Sequence, residues 1–126
     1  MIDMSTITMP KILDSLSKTV KSDFEGSYVF NVVIFDDDGN EKEKFFVTVE
    51  PGKVVWGEGE SDDDGVVPFH LKKGGLETMK ALQVEGLQAA IRFMFDGSIY
   101  TTNIKGAEKW FDLFELGEEA LEKALS

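Results

Sequence analysis

The 126-residue chain has no cysteine, which excludes disulfides, thiolate-held metals and cysteine nucleophiles and fits a reducing compartment. Histidine, the usual general base near neutral pH, occurs once, as His70, beside Pro68 and with no evident partner, so it reads as structural or exposed. Positive charge is also short. Lys and Arg number 13 against 24 Asp and Glu, a formal charge of -11, the wrong sign for tracking a phosphate backbone. Nucleic acid is therefore not an expected partner. No apolar run is long enough to cross a bilayer, and Met1 to Pro10 lacks a basic region followed by an apolar core. Ala124-Leu125-Ser126 is not an S-K-L type of address. The expectation is a soluble cytoplasmic protein without stable membrane insertion.

Catalytic signatures are missing too. There is no glycine-rich phosphate loop with its lysine, no nucleophile elbow and no histidine pair at metal-ligand spacing. Carboxylates are plentiful, but they run together in Asp36 to Asp38, Asp62 to Asp64 and Glu115 to Glu122, where their simplest role is to solvate turns and one helix face. The acidic loop Glu58 to Gly65 fails an EF-hand test: with Gly65 as its sixth residue, Leu71 occupies the twelfth position, where glutamate is required. No metal, no cofactor and no enzyme activity is expected.

What remains is one domain, 1–126, large enough to bury about two-thirds of its unfolded surface. After a loose lead-in over 1–8, Met9, Ile12, Leu13, Leu16 and Val20 mark one stripe of a helix that has Pro10 in its first turn and ends near Ser22. Ser27 to Phe35 is a strand apolar on both faces, and the Asp38-Gly39 turn returns it as Glu43 to Val49. A turn at Pro51-Gly52 starts a third strand at Lys53, completing an antiparallel meander. Val66 to Leu71 reads as an edge or irregular strand because of Pro68. Leu76, Met79 and Leu82 then make a short amphipathic helix.

The stretch Gly86 to Phe114 is oilier than a small sheet needs. Leu87, Ala90, Ile91 and Met94 step by three, four and seven residues along one helix, Gly97 ends it, and Ser98 to Thr102 alternates as a last strand. Asn103 is a helix cap, and Ala107, Trp110, Phe111 and Phe114 repeat the stepping. Gly117 interrupts that face before a final acidic helix over 118–126. Singly, such aromatics are more often core than ligand contacts. Together with a first strand apolar on both faces, their number predicts a pocket for a lipid-like molecule.

The order of these motifs resembles the sterol carrier protein type 2 family, small lipid-binding and lipid-transfer domains. The likeness spans Leu13 to Leu116: the leading helix, Gly26 before the Tyr28, Phe30, Val32 alternation, Phe45 to Val49 closing on Gly52-Lys53, and above all Gln88-Ala89-Ala90 through Phe95-Asp96-Gly97-Ser98-Ile99. The chain departs from the family at Thr102-Asn103, where a glycine and an acidic or amide residue usually stand. The animal members' peroxisomal tail is absent. The resemblance implies an α+β domain, a mixed five-stranded sheet covered by helices, with a hydrophobic tunnel for fatty acid, fatty acyl-CoA, sterol or phospholipid and no chemical step.

The expected tunnel wall is Leu87, Ala90, Ile91 and Met94 from one helix and Trp110, Phe111 and Phe114 from the other, with Phe45 and Phe46 from the sheet. Gln88 and Arg92 are the nearby polar groups for a ligand's head. Arg92, the only arginine, has two readings: its stem covers apolar surface while the guanidinium meets water or a carboxylate, or its planar fork captures a ligand carboxylate or phosphate. The alternative for the whole face is a protein-interaction or homodimer surface, and a weaker one is a small lipid-modifying enzyme using His70 or Asp96.

Overall fold

The computed structural model describes residues 6–126, and residues 1–5 of the expected lead-in lie outside the described residues. The rest of that lead-in is not loose. Ile7 is buried in the core and the Thr8 hydroxyl accepts a hydrogen bond from the Lys11 amide, capping helix α1, Met9–Thr19. This helix buries Met9, Ile12, Leu13 and Leu16 as its stripe requires, but it stops at Thr19 rather than near Ser22. Tertiary pairing ends it: Val20 is extended and bridges to Phe114, and the Lys21 amide donates to the Leu113 carbonyl at 2.8 Å.

Strands β1 (Tyr28–Phe35), β2 (Glu41–Glu50) and β3 (Lys53–Glu58) form the expected meander. The Asp36 carboxylate sets the first turn by accepting the amides of Asp38 and Asn40, both at 3.0 Å. Strand β4, Val67–Leu71, does not continue the meander. It lies on the other side of β1 and parallel to it, and β5, Ile99–Tyr100, pairs antiparallel with β4, giving the order β3-β2-β1-β4-β5. The protein is thus α+β with a mixed five-stranded sheet, as expected. Strand β4 is interior in that order, yet Pro68 is tolerated because two-residue β5 pairs only with His70 and Leu71 and leaves Pro68 unpaired on that side. The last strand is shorter than Ser98 to Thr102.

Helices cover one face of the sheet. Phe30, Val32 and Ile34, Phe45, Val47 and Val49, and Val67, Phe69 and Leu71 share that face and one hydrophobic cluster with the helical residues. The parallel crossover from β3 to β4 instead runs over the opposite face. The Asn31 side chain pins it there, donating to the Ser61 carbonyl at 3.0 Å and accepting the Ser61 amide at 2.8 Å. Beside it Val33 is almost fully buried between its cross-strand neighbours Lys44 and His70. Lys44 is held between Glu41 at 2.7 Å and Glu60 at 2.8 Å, which raises its pKa. Apolar residues on both faces of β1 therefore have a cause apart from any pocket.

Helices α2 (Gly75–Glu85) and α3 (Leu87–Phe95) meet at Gly86, whose φ of 68° suits glycine. Beyond β5, Asn103 caps α4 (Ile104–Glu108) by accepting the Gly106 amide at 2.9 Å, and α5 (Trp110–Leu113) follows. A Cβ at Gly106 would stand 2.6 Å from Val67, so this glycine lets α4 lie directly on β4. The last helix, α6 (Glu118–Leu125), packs on α1 and α2 through Leu121 and Ala124.

Candidate functional site

The expected wall divides into two populations. One belongs to the core. Trp110 is fully buried, its ring 5.1 Å from Phe30 in a T-shaped contact, 5.9 Å from Phe69 and 4.8 Å from Phe114. Its Nε1–H donates to the Oε1 of buried Gln83 at 2.7 Å, and the Gln83 carbonyl accepts the Gly117 amide. Phe114 is equally buried, and Phe45 packs edge-on against Trp56. Phe46 points to the opposite face of the sheet, its ring under Gly57, where a Cβ would come within 2.7 Å. Sequence reasoning missed Gln83, because a polar residue on an otherwise apolar helix carries no mark of the indole it will meet.

The other population lines a cleft between α3 and the α4–α5 segment. Leu87, Ala90, Ile91 and Met94 form one side, Ile104, Ala107 and Phe111 the other, and Phe69 and Ile99 the floor. Its polar lining comes from Thr101 and Glu108. The space is about 50 Å³, against about 300–1,000 Å³ for a typical small-molecule site. The expected tunnel is thus a narrow apolar slot in this structure, while its α3 wall is half open to solvent: Leu87 is 47%, Ile91 50% and Met94 39% exposed.

Helix α3 itself is lightly fastened. Its fully buried residues are Ala89 and Ala90, which hold little surface, Phe93 is its one large side chain packed against the core, and glycines with positive φ flank it, Gly86 at 68° and Gly97 at 81°. Neither Gln88 nor Arg92 lines the slot. Arg92 instead makes a two-pronged pair with Glu85, Nη1 to Oε1 at 3.1 Å and Nη2 to Oε2 at 3.2 Å, and its guanidinium lies 4.9 Å from the Phe93 ring. That bond lowers the Glu85 pKa and raises that of Arg92.

Two groups considered for chemistry sit apart from the slot's lining. His70 projects from the other face of the sheet between Phe35 and Tyr100, ring centroids 5.4 and 5.9 Å away, and burial, aided by Lys72, lowers its pKa. Asp96 accepts the Ser98 amide at 2.8 Å; hydrogen bonds from Ser98 lower its pKa. Among the described residues no three His, Asp or Glu side chains converge as a metal site, and no helix is long and apolar enough to cross a membrane. In the acidic loop Asp63 accepts the Gly65 amide, a turn contact. Two wider clefts carry charge in their linings: about 590 Å³ beside Asp36, Asp37, Lys42 and Glu43, and about 770 Å³ beside Lys21, Glu118 and Lys123.

No family model matches the chain, and no curated protein matches it. Among solved structures, the stereoselective inverting sec-alkylsulfatase Pisa1 from Pseudomonas sp. is similar, with a TM-score of 0.63 and 21% identity over 88% of this chain and 17% of that one. A double mutant of that enzyme gives a TM-score of 0.65 and 21% identity over 89% of this chain and 17% of that one. The chain therefore spans about 17% of the length of the structures it matches, and at this identity the likeness is one of fold.

Proposed function

We propose that this domain binds an apolar or amphipathic lipid-like ligand, without chemistry of its own, in the slot between α3 and α4–α5. One observation carries the reading: a slot lined almost wholly by carbon opens beside exposed Leu87, Ile91 and Met94. Burying acyl or ring carbons there supplies about 25 cal/mol per Å², so discrimination among similar lipids is poor. A slot of about 50 Å³ admits an acyl chain only when α3 swings outward, and Gly86 and Gly97 are placed as its hinges. Kinship with the sterol carrier protein type 2 family is part of the proposal, supported by the motif order and compatible with the mixed five-stranded sheet. The name of the similar structures denotes a secondary-alkyl sulfate, an apolar chain with an anionic group, which is the same broad ligand class.

The second reading, a protein-interaction or homodimer face, is favoured by the exposure of that same helix. Native mass spectrometry with lipid extraction and a fluorescent fatty acid separates the two. Co-purified lipid and saturable uptake by a monomer support the first; an empty obligate dimer that takes up no fatty acid supports the second.

A further inference from the structure

The apolar surface of α3 extends beyond the slot. At about 100° per residue, Ala90, Met94, Leu87, Ile91 and Phe95 follow one another around the helix over an arc of about 140°, from buried to fully open. Phe95 ends the arc and is 90% exposed; across the slot Ile104 is 52% exposed. Gln88 and Arg92 begin the polar side. A group of large apolar side chains left open in this way marks an interaction surface.

Its charge points to the kind of partner. From Gly86 to Ala107 the charged side chains are Arg92, Asp96 and Lys105, and Glu85 and Glu108 stand directly at the two ends of this stretch, so the face is nearly neutral and the chain's -11 is carried almost wholly elsewhere. Cations border the apolar groups: Lys105 follows Ile104, and Lys73 reaches the Asp96 carbonyl at 3.1 Å, beside Phe95. Arg92 is already neutralised by Glu85. An apolar face whose flanking cations and carboxylates nearly balance suits the headgroup–acyl boundary of an uncharged bilayer, where apolar burial supplies the attraction. A single protruding phenyl ring fits a fluid lipid layer at once, whereas a protein partner must present a matching pocket.

We infer that the α3 face, led by Phe95 with Ile91, Leu87, Met94 and Ile104 behind it, docks reversibly on a zwitterionic lipid bilayer. The inference rests on the exposed face and not on occupancy of the slot, but the two fit together: the slot opens on the docked side, so a lipid would pass between bilayer and protein without crossing water.

Flotation of the full chain with phosphatidylcholine vesicles tests it. Wild-type protein is expected to float with the vesicles equally at low and high salt. Phe95→Ser removes a side chain that the fold does not bury, and is expected to lower the partition coefficient about tenfold or more. Its unfolding midpoint and its uptake of fluorescent fatty acid in vesicle-free buffer should be unchanged. Wild-type protein that stays with the buffer, or Phe95→Ser that floats as well as wild type, overturns the inference. So does a wild-type dimer that Phe95→Ser converts to monomer, which would assign the face to a second copy. Vesicle partition without fatty-acid uptake would sustain docking and sink the proposed ligand reading instead.

Discussion

Helix α3 and the α4–α5 segment carry the same apolar stepping of three, four and seven residues, yet they end in opposite environments. Trp110 and Phe114 are sealed into the core, whereas Leu87, Ile91 and Met94 keep about half their surface in water. Periodicity names the face of a helix; it does not say what covers that face. For Trp110 the cover is Phe30, Phe69 and Phe114, with Gln83 to satisfy the indole. For α3 the contact with the core is made by two buried alanines and a partly buried Phe93, which leaves Leu87, Ile91 and Met94 on the far side of the helix uncovered. The aromatic stripe is committed to the core, and the aliphatic stripe is left partly in water.

The largest effect should therefore fall on the side that looked most like a ligand wall. Trp110→Ala is expected to cost about 3–5 kcal/mol, read from the urea midpoint, because it opens a cavity among three rings and strands Gln83. Gln83→Met keeps the volume and removes the acceptor, leaving the buried Nε1–H without a partner, at a cost of about 1–3 kcal/mol. A Trp110→Ala variant that stays as stable as wild type while losing fatty-acid uptake would reverse the division between the two helices.

On α3 the balance inverts. Ile91→Ser removes a half-exposed side chain and should change stability by less than about 1 kcal/mol, but fatty-acid uptake should weaken severalfold. Equal losses in both measurements would mean that α3 is ordinary core. The contrast is sharpest when Ile91→Ser and Gln83→Met are measured side by side, since the first is expected to lose ligand and the second stability.

Much of this arrangement was readable from residue order, and the unreadable part has particular causes. The alternation of Phe45 and Phe46, the Asp38-Gly39 turn and the Asn103 cap act locally, so they were legible. The parallel placement of β4 was not, because it rests on non-local contacts: the ladder of β4 with β1, and the Asn31–Ser61 contact, between residues thirty positions apart, that holds the crossover. Burial of Val33 on the far face likewise depends on Lys44 and His70, which look like surface residues in isolation. Those non-local contacts account for apolar surface that otherwise argued for a wide tunnel. The slot's lining was legible in Leu87, Ala90, Ile91, Met94 and Phe111, but its narrowness depends on how closely the helices approach.

Away from both helices, His70 gives a pH signature. Its folded pKa lies below the ordinary 6.5, so the neutral ring is favoured by folding. The stability this contributes is complete above 6.5 and is lost as pH falls through the folded pKa. Glu41, Glu85 and Asp96 have lowered pKa values too, but their contributions are complete above 4.5, the highest of their reference values, and fail below it. Urea midpoints of His70→Gln should therefore lack the wild type's decline just below 6.5 while sharing its later fall. A decline of the same size in both proteins would assign it to other groups.

The smallest expected effect concerns Arg92, for which the sequence left open a carboxylate partner or a ligand's anionic head and which meets the carboxylate of Glu85. Its guanidinium is spent on Glu85, lies more than half in solvent and borders the polar side of α3, whereas the slot is reached past Leu87, Ile91 and Met94. An exposed ion pair of this kind is screened by water and salt, so Arg92→Gln should leave the urea midpoint within error. Fatty-acid uptake should also be unchanged, because no donor is withdrawn from the slot. If uptake of the fatty acid fell in Arg92→Gln while that of an uncharged long-chain alcohol held, Arg92 would have to release Glu85 and turn toward the slot when α3 opens. Glu85→Gln separates these cases: by freeing the fork it would then strengthen fatty-acid uptake, whereas an Arg92 that stays on the polar flank predicts no change.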